Sequence, residues 1–275
     1  MPLPLPHTGE EKYMSRIAKA FQNGKVFIGF LTGGDPSMAK TKEFVQAMIK
    51  GGAGIIEIGI PFSDPIAEGP EIQGANIRAL RGGGTLDMCF TLVEDLRKET
   101  DVPLVFLTYF NPVFNYGCEA FFQRAARAGL DGIIIPDLPF EEQAPVREAA
   151  GIYGIDIISL IAPTSDTRIK EIAAAASGFI YVVSSMGVTG TRADITTDLD
   201  SIVKSIRQVT AIPFAIGFGI HTPAQAAQMA RIADGVIVGS AIVKIIAEHG
   251  ESAGPYVYEY VKRMNEAITL SLHTG

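Results

Sequence analysis

Short apolar runs rich in β-branched residues recur along the chain, each followed by a polar loop and a stretch of helical period. They cover residues 26–31, 55–59, 104–108, 132–135, 155–161, 179–184, 214–218 and 235–238. Runs that are apolar at nearly every position suit strands covered on both faces, the condition of a parallel sheet. Helices are predicted between them, over residues 40–49, 86–98, 120–128, 141–153, 168–176, 199–209, 223–232 and 240–248. Leu199, Ile202, Val203, Ile206 and Val209 have the spacing of one buried helical face. A further helix is predicted before the first strand, over residues 10–22, and another after the last, over 256–270. Eight strand–helix alternations with no linker predict an α/β fold. The expected form is one closed (β/α)8 TIM barrel over residues 10–275, with an extra N-terminal helix. An open doubly wound sheet is the alternative, but no G-x-G-x-x-G follows the first strand.

Composition narrows the function. The 275 residues are 47% hydrophobic, enough for a sizeable core. The net charge is −7 and no Lys/Arg-rich run is present, which speaks against nucleic acid and anionic membranes as partners. No apolar run reaches the roughly 18 residues of a membrane span. Residues 1–9, with alternating prolines and no basic start, predict an extended, poorly ordered tail and no signal peptide. Cys89 and Cys118 stand apart from any metal or redox pattern, as isolated reduced thiols of a cytoplasmic protein do.

The chemistry should lie at the C-terminal ends of the strands. Glu57 interrupts the second apolar run, and alternation with Ile56 and Ile58 points it into the barrel. A buried carboxyl is either paired structurally or raised in pKa as a general acid/base. Glu68 follows in a Pro- and Gly-rich loop. There it is either a solvated surface group or the partner of Glu57, the two holding different protonation states. Gly217-Phe-Gly219 and Gly239-Ser240 end the last two strands. They read as ordinary tight turns or, taken together, as a phosphate cradle of backbone N–H groups and a helix N-terminus. Residues 185–198, rich in Gly and Thr, predict an unstructured loop, either plain surface or a lid over the substrate. Tyr109, Asn111, Pro136, Asp137 and Tyr181 end other strands. The four histidines have no ligand or triad spacing, so no metal is expected, and His221 reads as a helix-start residue.

Several of these segments resemble the tryptophan synthase alpha subunit family in the same order along nearly the whole chain. They are Phe30-Leu-Thr-Gly-Gly-Asp-Pro36, Glu57-Ile-Gly-Ile-Pro-Phe-Ser-Asp-Pro65, Gly69-Pro70 with Ile72-Gln73, Gly187-Val-Thr-Gly190, Gly217-Phe-Gly-Ile220 and Gly239-Ser-Ala241. The resemblance implies a lyase of tryptophan biosynthesis that splits indole-3-glycerol phosphate by retro-aldol chemistry into indole and glyceraldehyde 3-phosphate. It implies Glu57 as the acid/base at indole C3, Glu68 as the carboxylate at the indole N–H, and Tyr181 beside the catalytic glutamate. Phe30, Leu107 and Phe218 would line the ring. Thr189 would reach from the lid toward Glu68, and Gly190, Gly219, Gly239 and Ser240 would cradle the phosphate. It implies no cofactor on this chain, and a pyridoxal-phosphate beta subunit as partner in an α2β2 heterotetramer, facing Pro61, Asp64 and Asn111. Two positions depart from the family: Glu68 stands where Asp is usual, and Ser185 where Arg is frequent. A second reading, drawn from Glu68 alone, is a weakly catalytic partner that mainly activates the beta subunit.

Overall fold

The computed structural model describes residues 14–183, 192–217 and 219–270, with the backbone alone over 192–198. Nine strands run parallel: β1 (Val26–Thr32), β2 (Ile55–Gly59), β3 (Leu104–Leu107), β4 (Gly132–Ile134), β5 (Asp156–Ile157), β6 (Ser159–Ile161), β7 (Ile180–Val183), β8 (Phe214–Gly217) and β9 (Gly235–Val238). Their order is β5-β4-β3-β2-β1-β9-β8-β7-β6. The sheet's two ends, β5 and β6, are halves of one strand interrupted at Ile158, so the ring closes through the chain itself. This is the expected barrel of eight strand positions.

Alternation divides the apolar residues between two cores. Ile28, Ile55, Val105, Ile134, Phe179 and Ala215 fill the barrel. Phe27, Leu31, Ile56, Ile58, Phe106 and Val236 face the helices. Near-continuous apolar strands arise because both faces are covered. The N-terminal helix Arg16–Ala20 starts at Ser15, whose hydroxyl accepts from Ala18 N–H. It is shorter than the expected 10–22: Met14 and Ser15 are not helical, and Phe21–Asn23 tightens into a 3₁₀ turn. Its Ile17 is fully buried and belongs to the inner core, so the extra helix plugs the barrel floor. At that end Asp131 accepts from Arg16 at 3.0 Å, Arg97 at 2.7 Å and the Leu104 N–H at 2.8 Å.

Two helices go beyond those predicted, Pro70–Arg81 and Phe110–Tyr116. The first follows β2 after a ten-residue loop and the second follows β3 after two residues, both on the side of the barrel mouth. The expected unstructured loop over 185–198 is corrected: the helix Arg192–Val209 takes up its second half. The expectations for residues 1–9 and for the remainder of that loop fall outside the described residues.

Candidate active site

Glu57 lies in the middle of β2, beside Phe30 of β1 and Val105 of β3. Its strand neighbours Ile56 and Ile58 pack outward, so the carboxyl points inward, 1% exposed. Oε1 has no hydrogen-bond partner among the described residues. Burial pushes the carboxyl up to about 8, since a charge there would lack both water and a counter-ion. Glu57 is therefore a neutral acid at pH 7, able to give a proton.

Tyr181 of β7 lines the same space, and a Cβ on Gly217 would collide with its ring. Burial first, and the nearby Glu57 charge second, raise its phenol well above the usual range, so it stays a donor. Glu68 sits on the loop between β2 and the helix Pro70–Arg81. The buried Asn76 amide donates to its Oε2 at 2.6 Å. Burial raises the Glu68 carboxyl, while hydrogen bonds from Asn76 and Tyr109 pull it back down. The Tyr109 hydroxyl also accepts from Ala67 N–H at 3.0 Å, which ties the loop to β3. Two carboxyls thus share one cavity in unlike surroundings, one with an orphaned oxygen and one held by an amide.

That cavity is about 540 Å³, within the usual range for small-molecule sites. It brings together Glu57, Glu68, Tyr181, Phe30, Leu107, Gly219, Gly239 and Ser240. Its apolar wall is built on Phe30, which packs with Ala75, Val243, Ile72 and Leu107. At the far rim Gly219 takes φ +99°, a conformation side chains rarely adopt. The helix Ser240–His249 starts at Gly239 and offers its first N–H groups and its dipole to an anion. Thr189, Gly190 and Phe218 lie outside the described residues. Asp64 and Asn111 are exposed on loop and helix at the mouth, whereas Pro61 is buried against Gly84. Among the described residues no group of three or more His, Cys, Asp or Glu could hold a metal ion.

Sequence reasoning left out Asn76, Glu71, Ile237 and Lys244 as contributors to the site. Lys244 was within reach of it: four residues after Ser240, it shares a face with the helix start. His221 also lines the cavity. Its helix-start reading is correct as well, for Gln225 accepts from the His221 and Thr222 N–H groups in a capping box.

Fold and cavity together define a class: a (β/α)8 barrel whose cavity at the strand C-termini is lined by a buried carboxylic acid and by the glycines at a helix N-terminus. A sequence profile described as the tryptophan synthase alpha chain matches residues 17–269. The tryptophan synthase alpha chain of Lacticaseibacillus casei is 51% identical over 255 residues, covering 93% of this chain and 96% of that one. The solved alpha chain of Legionella pneumophila is 34% identical with a TM-score of 0.84, over 93% of this chain and 98% of that one. A chain of a tryptophan synthase complex from Pyrococcus furiosus is 35% identical with a TM-score of 0.81, over 88% and 98%. The chain belongs to the tryptophan synthase alpha chain family.

Proposed function

We propose that this chain cleaves indole-3-glycerol phosphate to indole and glyceraldehyde 3-phosphate, with Glu57 as the acid and base of the reaction. The observation that carries this reading is the buried Glu57 carboxyl, whose Oε1 has no partner among the described residues, facing the same cavity as Glu68, Gly219, Gly239 and Ser240. The phosphate anchors at the cradle and orients the reacting carbon. The indole ring lies against Phe30 and Leu107. Glu57 gives its proton to indole C3, and the ring nitrogen takes up positive charge, which the Glu68 carboxylate stabilises. The C–C bond then breaks: its electron pair restores the aromatic ring, the glycerol hydroxyl becomes the carbonyl of glyceraldehyde 3-phosphate, and the hydroxyl proton returns to Glu57. The proton count closes without an external acid or base. Tyr181, a persistent donor, orients the Glu57 carboxylate formed midway.

The chain acts in tryptophan biosynthesis, in the cytoplasm, as one catalytic unit over residues 10–275 with no cofactor of its own. Among the described residues no helix is long and apolar enough to cross a membrane. A beta subunit docks at the mouth, in an α2β2 assembly. Asp64 and Asn111 are the polar part of that surface, and the exposed Ile66, Ile77, Leu80 and Phe114 supply apolar area beside them. Pro61 contributes from beneath, by shaping the loop.

The test is indole release from indole-3-glycerol phosphate by the purified chain, alone and with a beta subunit. Glu57→Gln should lose on the order of 10²–10⁴-fold in turnover while still binding the substrate. Wild-type turnover retained in this variant would remove Glu57 from the mechanism.

A further inference from the structure

The barrel wall is not hydrogen-bonded all the way to its mouth. Lower down, β4 and β5 pair, Gly132 with Asp156 and Ile133 with Ile157, and the Ile158 N–H still donates to the Ile133 carbonyl at 2.9 Å. A parallel ladder advances by two residues, so its next rung would join the Leu160 N–H to the Ile135 carbonyl. That carbonyl accepts from the Leu138 N–H at 3.3 Å instead. The end of β4 is held on its other side. There the Ile134 carbonyl accepts from Thr108 N–H at 3.0 Å, and Asp137 Oδ1 accepts from Phe110 N–H at 2.8 Å. β6 pairs with β7, where Leu160 stands beside Tyr181.

The seam between β4 and β6 holds a pocket of about 220 Å³. Ile158 and Leu160, which pack with the inner core, line it together with Ile135 and Ile172 of the outer core, so it runs through the wall. The Gln143 amide in it is already bonded, donating to the Leu138 carbonyl at 3.1 Å and accepting from Arg147 Nε at 3.0 Å. Arg168 at the rim pairs with Glu141. What the pocket offers a guest is chiefly apolar surface.

Two observations tie this pocket to the reaction cavity. Pro136 lines both, so its ring is the partition between them. The pocket also lies where the far end of the substrate must point. The phosphate cradle stands on β8 and β9, and the strands facing these across the barrel are β3 and β4. A phosphate held there sends the indole across the mouth toward Leu107 and Pro136. Since C3 carries the glycerol chain and the ring nitrogen turns to Glu68, the part that meets Pro136 is the benzo edge, C5 and C6.

We propose that the seam pocket is an annex of the indole site that receives an apolar substituent on the benzo edge, so that the chain takes ring-alkylated as well as plain indole-3-glycerol phosphate. This rests on the substrate and its placement named under Proposed function, and adds the range of rings that the site accepts. Tyr181 and Leu160 separate the two roles: neighbours in register, one lines the reaction cavity and the other the annex.

Calorimetry on the full chain tests this with an uncleavable analogue, indole-3-propyl phosphate, and its C5-ethyl and C6-ethyl derivatives. A closed apolar site discriminates against a surplus methylene by roughly 10–200-fold, whereas with the annex at least one ethyl derivative should bind wild type within about 3-fold of the parent. Ala162→Phe and Thr164→Phe fill the pocket from two exposed positions of its wall. At least one of them should weaken that derivative by about 10-fold or more while the parent stays within about 3-fold of its wild-type affinity. Wild type that rejects both ethyl derivatives beyond the 3-fold limit overturns the annex. So does a derivative whose affinity survives both fillings, or a parent that weakens along with it. Wild type that fails to bind the parent would overturn the indole site itself. Binding needs no turnover, so each of these results is distinct from failure to release indole.

Discussion

At the scale of single residues, the site sets a buried Glu57 carboxyl, with Oε1 unpartnered among the described residues, against a Glu68 carboxyl held by Asn76. Glu57 was legible in the sequence, because a charge inside an apolar strand has few meanings. Glu68 was legible as a residue but not as an environment: nothing in its loop announces that Asn76, a turn and a half into the next helix, would be buried and bonded to it. Asn76 fixes where the Glu68 carboxyl points, through a bond of 2.6 Å to its Oε2. Asn76→Leu should leave Glu68 without its strongest partner and raise its carboxyl further. The expected result is about 10-fold lower kcat/KM, from a loss of order 1–3 kcal/mol at the charged hydrogen bond. A pH–rate profile should show the acidic limb moved upward, and a profile identical to wild type would deny Asn76 this role.

At the scale of elements, the strands were legible almost to the residue, since β2 and β9 cover the predicted 55–59 and 235–238. Strands enclosed on both faces write themselves as apolar runs. The helices at the mouth did not. Pro70–Arg81 grows out of a Pro/Gly loop, contains Gly74, leaves Ile77 and Leu80 exposed and buries only the small or polar Ala75, Asn76 and Ala79, so no run of large apolar residues marks it. Phe110–Tyr116 has only seven residues, with Pro112 in its first turn. The helix beginning at Arg192 carries Asp194, Ile195, Thr196 and Thr197 in its first two turns, poor helix formers that masked its start. Packing between β1 and β2 sets the cavity wall: a Cβ on Gly59 would stand 2.7 Å from the Phe30 ring. Gly59→Ala should therefore drive the Phe30 ring into the cavity at a cost of about 1–3 kcal/mol. Urea denaturation should report that loss, and KM should rise more than kcat falls. A variant with wild-type KM would place the ring elsewhere.

At the scale of the whole molecule, the barrel separates what holds it together from what reacts. Asp131, Arg16 and Arg97 knit the floor, while the barrel interior below the mouth holds a carboxyl whose Oε1 is unpartnered among the described residues. The predicted fold and eight strand positions survive, and the reach of the N-terminal helix and the loop beyond β7 are what changed. Keeping Glu57 neutral has a global signature. Its folded value, about 8, lies above its ordinary one, so the folded state holds a proton that the unfolded chain releases. This stabilising contribution is complete below the ordinary carboxyl range and is lost as pH rises through about 8. The most direct measurement is infrared difference titration of the protonated carboxyl band, comparing wild type with Glu57→Gln. The expected result is a band that disappears with a midpoint of about 8 in wild type and is missing from the variant. A Glu57 that ionises in the usual carboxylate range would contradict it.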